Sequence, residues 1–130
     1  MIGIWGAYSG IYLYVVGAVT LAAFGLPLLI VPPTWARWFR WDSLPSTPLT
    51  IFLGRSLGMF LCVVSAYAFR MAGLPAAQPF FFQFLLWLIV GMLALHIYGA
   101  LAKVQPWTET AEIGMWAILF LATLAFYPTG

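Results

Sequence analysis

A chain of 130 residues that is 65% hydrophobic and only 6% charged does not suit a water-soluble fold. Soluble domains carry roughly 25% charged residues, and a chain this short leaves much of its surface against solvent, so the solvent must be lipid. A net charge of +2 with scattered basic residues excludes the basic face of a nucleic-acid binder. The single cysteine, Cys62, excludes an internal disulfide.

The expected fold is all-α: one integral membrane four-helix bundle over residues 1–130, with a short interfacial helix in the first loop. Continuous rather than alternating apolar runs favour helices over barrel strands. The opening residues MIGIWGAYSG lack the basic start of a secretory signal, so the first apolar run, about 9–31, is expected to be a retained span. Gly25 and Pro27 predict a kink or thinning near its end, and Pro32-Pro33 stop it. In the loop that follows, Trp35, Trp38 and Trp41 alternate with Arg37 and Arg40. That pattern suits an anchor in the headgroup layer, with rings at the boundary and guanidinia on lipid phosphates.

The second span, about 49–70, carries Gly54, Gly58, Cys62 and Ala66 four residues apart, a ladder that lets another helix approach closely. It also carries Arg55 inside its first two turns, and an ionisable residue within a span is a functional-site candidate. The third span covers about 80–102 and the fourth about 111–127. Thr108 or Thr110 is expected to cap the fourth, with Glu109 and Glu112 near its positive end. Loops one and three hold Arg37, Arg40 and Lys103, and the other side has only Arg70. The positive-inside rule then places both termini outside, in a bacterial inner membrane.

Comparing depths gives the candidate site. Arg55 and His96 each lie about 9 Å in from the ends of their spans that face loops one and three, and Glu112 lies just inside the fourth span on the same side. Together they suggest a polar ligand site near one leaflet. Arg55 would meet an anionic or carbonyl head, His96 would carry protons or ligate a metal centre, and Glu112 would balance charge. The simpler alternative pairs Arg55 with Glu112, or lets it snorkel to lipid phosphate, and makes His96 a helix-packing hydrogen bonder. Gln105 could contribute, whereas Tyr98 points away from His96. Elsewhere in the spans, polar side chains are few: Thr20, Ser65, Gln83 and Thr123.

Enzyme signatures are absent. Asp42 sits in the interfacial loop, away from His96, so no Ser-His-Asp set forms. No phosphate-cradling glycine loop occurs. Cys62 and His96 differ in depth, which argues against a zinc site built on them. A lone histidine can still serve as a single axial ligand to haem or to a chlorophyll magnesium.

The order of GLPLLIVPPTWARWF, FLGRSLGMFL and HIYGAL resembles the small four-span bacterial proteins of the DoxX-like superfamily, whose second helix carries an Arg-x-x-Gly element, here Arg55 to Gly58. The resemblance implies a four-helix membrane bundle with a largely unsettled function, sometimes linked to quinone or redox partners. Eukaryotic four-span scaffold proteins of sterol synthesis share this general look, and they act by tethering other proteins. Neither group transfers a catalytic residue.

Two functions are expected. The first is a non-catalytic accessory or scaffold subunit of a larger membrane complex, bound to other subunits, to itself and to lipid. The second is a binder or enzyme for a lipid-soluble molecule such as a quinone, isoprenoid or pigment. A channel is disfavoured because no span carries a continuous polar stripe.

Overall fold

The computed structural model describes residues 2–41 and 45–129; Asp42 and the adjoining part of the first loop lie outside these. A 3₁₀ turn at Gly6–Tyr8 leads into α1 (Ser9–Thr20), a π-helical turn at Leu21–Gly25 and α2 (Leu26–Ile30). Then come α3 (Pro32–Trp38), α4 (Pro48–Ala72), a 3₁₀ turn at Pro75–Ala77, α5 (Gln78–Ala102) and α6 (Trp107–Ala125). No strand occurs among the described residues. Four stretches, Gly6–Ile30, Pro48–Ala72, Pro75–Ala102 and Trp107–Ala125, are long and apolar enough to cross a membrane, which marks an integral membrane protein.

The fourth span starts at Trp107 rather than near 111, and neither threonine is its N-cap. Pro106 takes that position in extended conformation (φ −66°, ψ 162°), and the Thr110 amide closes the first helical bond onto its carbonyl at 3.3 Å. The helix therefore begins without a side-chain cap.

The chain divides into two compact units. One, Leu13–Arg70, holds the rest of α1, the π turn, α2, α3 and nearly all of α4. The π turn has a local cause. Pro27 has no amide hydrogen, and a proline ring inside a helix clashes with the carbonyl four residues back, here that of Ala23. The Leu26 amide reaches instead to the Leu21 carbonyl, five residues back. The Ala23 carbonyl is thereby freed, and the Trp35 indole N–H donates to it at 3.0 Å. Trp35 also stacks on Phe39 at 4.5 Å, and Phe24 packs against both rings. The short helix α3 is thus tied back to the first span by one ring, while Arg37, Trp38 and Arg40 stay exposed.

The glycine ladder of α4 meets the end of the first span. A Cβ on Gly58 would collide with the Leu29 backbone nitrogen and sit 2.8 Å from the Leu28 carbonyl carbon; one on Gly54 would sit 2.7 Å from Pro32 Cβ. Cys62 Sγ lies 3.1 Å from where a Gly25 Cβ would stand. Ala66 is exposed, and Ser65 and Ala68 are buried in its stead. Each four-residue step overshoots a 3.6-residue turn by about 40°, so by Ala66 the ladder has rotated about 120° from Gly54.

The other unit, Met1–Tyr12 with Met71–Gly130, holds α5 and α6 as a hairpin. α5 ends in a Schellman turn: the Val104 amide bonds the Gly99 carbonyl (3.1 Å) and the Lys103 amide bonds the Ala100 carbonyl (3.2 Å). Lys103 fills the left-handed position usually given to glycine, at φ 55°. The start of the chain clasps the far end of α6, with the Gly3 amide on the Leu124 carbonyl and the Trp5 amide on the Ala125 carbonyl, both at 2.9 Å.

Candidate functional site

The short α5–α6 turn brings the second turn from the end of α5 beside the first turns of α6. His96 is 4% exposed there. Its Nδ1 lies 2.7 Å from the Met92 carbonyl, one helical turn back. A carbonyl only accepts, so Nδ1 carries the hydrogen. In the neutral ring Nε2 is then a lone pair, and it faces carboxylate oxygens of Glu109 at 3.1 Å and Glu112 at 3.3 Å. Glu109 and Glu112 are three residues apart on one face of α6, and each keeps about 13% of its side chain accessible.

Neighbouring groups hold this arrangement. The Gln105 amide donates to the His96 carbonyl at 3.0 Å and to Thr110 Oγ1 at 3.2 Å. Gly99 makes room for it, since a Cβ there would overlap the Gln105 side-chain oxygen. Trp116 covers the imidazole, with ring centroids 5.8 Å apart.

Electrostatically, three acceptor atoms converge: two carboxylates and the imidazole lone pair. Such a set needs a proton or a cation between its members. That can be a proton on Nε2, a proton on one carboxyl group, or a bound cation. Donor atoms of His96, Glu109 and Glu112 all lie within 4.8 Å of one another, close enough to share one ion.

The sequence-predicted residues are distributed as follows. His96 and Glu112 come together, and Gln105 supports them from the connecting turn. Tyr98 is exposed. Arg55 belongs to the other compact unit, is exposed, and enters no ion pair among the described residues. The ion-pair partners of His96 are instead the two glutamates. Nδ1 is committed to the Met92 carbonyl and Nε2 faces both glutamates, so a haem or chlorophyll ligated at Nε2 would have to displace the two carboxylates. Glu109 is the member that sequence reasoning left as a helix-end charge. Its three-residue spacing to Glu112 and its distance from His96 across a tight turn were the available signals.

A second polar group lies near the start of α5, where sequence analysis singled out only Thr123. Ser9 Oγ donates to Gln78 Oε1 (2.6 Å), and Gln78 Nε2 donates to the Ala72 carbonyl (3.1 Å). Thr123 donates its hydroxyl hydrogen to the Leu119 carbonyl (2.7 Å), so the Tyr12 hydroxyl donates to Thr123 Oγ1 (2.6 Å). Ser9, Tyr12, Gln78 and Thr123 are all buried and mutually satisfied, which is the signature of helix-to-helix fastening rather than of a ligand site.

No family model, curated protein or solved structure matches this chain.

Proposed function

We propose that this chain is a non-catalytic, membrane-embedded binding protein that holds a cation or cation-bearing ligand at His96, Glu109 and Glu112. The observation that carries this reading is the facing of two carboxylate oxygens onto the Nε2 side of a buried imidazole whose Nδ1 is committed to a carbonyl. The same feature turns the expected ligand away from anionic or carbonyl heads, quinones included, since three acceptors repel a fourth. The site is near one end of its spans, and the partly accessible carboxylates give a route from the aqueous boundary. Under the positive-inside rule that boundary is cytoplasmic, in a bacterial inner membrane.

The test is equilibrium binding of Zn²⁺ and of decylammonium to the protein in neutral-lipid nanodiscs. Saturable uptake of at least one probe, abolished in the E109Q/E112Q double variant, is the expected result. Equal binding of both probes by wild type and double variant would sink the reading.

A second reading, an accessory subunit of a larger bilayer complex, is favoured by one feature of α6. Ala111, Gly114, Met115, Ile118 and Ala122 line an open apolar groove, and a Cβ on Gly114 would meet nothing within 4 Å. Small residues that pack against nothing within their own chain suit a helix from another. Migration as a lone monomer in blue-native electrophoresis after mild extraction would count against it.

A further inference from the structure

We infer that the cation at this site is a first-row divalent transition-metal ion, held by His96 Nε2 and one carboxylate oxygen each from Glu109 and Glu112. The inference rests on the cation-binding reading above and narrows it. Three observations carry it.

The first is the tautomer. Metal-ligating histidines commonly donate their other ring N–H to a carbonyl or carboxylate, which fixes the ring and leaves the second nitrogen free to bind. The 2.7 Å contact from Nδ1 to the Met92 carbonyl does this here, and it is built into α5 itself.

The second is spacing. Zn–N and Zn–O bonds run about 2.0–2.2 Å. Neighbouring ligand atoms around such an ion are then about 3.3–3.5 Å apart in a tetrahedron and about 2.8–3.1 Å apart in an octahedron. The Nε2-to-oxygen separations, 3.1 and 3.3 Å, fall in the range of two such edges, and the three ligand atoms lie within 4.8 Å of one another, so an ion would draw the two carboxylates together.

The third is ligand type. Calcium seeks six to eight oxygens and magnesium keeps most of its water; an imidazole with two carboxylates suits zinc, iron, manganese or cobalt instead. Three protein ligands leave at least one position for water or an added ligand, the pattern of an open rather than a structural site. The outer support is present in Gln105, which fixes the His96 carbonyl, and in Trp116, which shields the ring.

The experiment uses the full chain, purified without a histidine tag, stripped with chelator and titrated with Co²⁺ and then Zn²⁺. One equivalent of Co²⁺ should bind with visible d–d absorption, be displaced by Zn²⁺ and resist excess Mg²⁺. H96Q and E109Q/E112Q should each weaken binding more than about 100-fold, beyond the 10–100-fold that loss of an outer partner costs. Q105A, an outer partner, should cost about 10-fold. Helicity and thermal unfolding of each variant establish that it is folded. Independently of any variant, Cu²⁺ bound to wild type should show nitrogen hyperfine coupling from a single imidazole. Absence of stoichiometric metal uptake by wild type, or undiminished uptake in folded E109Q/E112Q, would overturn the inference. If metals fail but decylammonium binds in a carboxylate-dependent way, the metal assignment falls and the cation-binding reading stands. If neither binds, both fall.

Discussion

Trp35 and Tyr12 each make one side-chain hydrogen bond to a group within a span, and their losses should differ. In Trp35→Phe the Ala23 carbonyl, already denied the Pro27 amide, loses its indole donor. An unmet polar group in apolar surroundings costs about 1–3 kcal/mol. In Tyr12→Phe the Thr123 hydroxyl keeps its bond to Leu119, so only about 0.5–1.5 kcal/mol should be lost. Unfolding in mixed micelles should therefore rank Trp35→Phe as the more damaging of the two. The same contrast marks what single residues disclose beforehand. His96 and Glu112 were legible because charge inside a span is rare enough to be compared by depth. Glu109 was not, because a carboxylate in a first helical turn already has an ordinary explanation in the helix dipole. The partnering of Trp35 was hidden for a similar reason: an interfacial tryptophan needs no hydrogen bond to account for it.

Between neighbouring elements, Pro27 and Trp35 should be energetically coupled. Pro27→Ala restores an amide that can bond the Ala23 carbonyl, which would let the π turn at Leu21–Gly25 close as ordinary α-helix. In that background Trp35→Phe should cost almost nothing, so a double-mutant cycle should return a coupling energy of about 1 kcal/mol or more. Additive losses would mean the indole bond does not depend on the proline. Lys103 offers a second case. A side chain in the left-handed region costs about 1–2 kcal/mol, while a cation near a helix C-terminus returns about 0.3–1 kcal/mol. The first outweighs the second, so Lys103→Gly should stabilise the α5–α6 hairpin by up to about 1 kcal/mol, read as a higher unfolding midpoint. The four spans were legible to within a few residues from apolar length and proline breaks. The stop at Lys103 was less so, since a Schellman turn without glycine leaves no mark in the sequence. The rotation that carries Ala66 off the contact face was calculable from helical pitch, yet the ladder spacing alone concealed it.

For the whole chain, if all four apolar stretches cross the bilayer, loops one and three share one side and the Met71-to-Pro79 connection takes the other. In a Cys62→Ala background, a membrane-impermeant maleimide should label engineered cysteines at Trp38 and Lys103 from the same side and at Leu74 only from the opposite one. Labelling of all three from one side would contradict the four-span topology. Composition made the membrane character readable at once, because 6% charge leaves no other solvent. The division into two compact units was not readable, since the boundary falls inside continuous helices at Tyr12 and Arg70 rather than in a linker.

The clasp between Gly3 and Leu124 bears on the order in which the molecule is made. Its partners are far apart in sequence, whereas α5 and α6 meet across a turn of a few residues. Local pairs close early and distant ones late. The hairpin should therefore zip before the clasp shuts, and the residues around Gly3 act as a late latch on a pair of helices already joined.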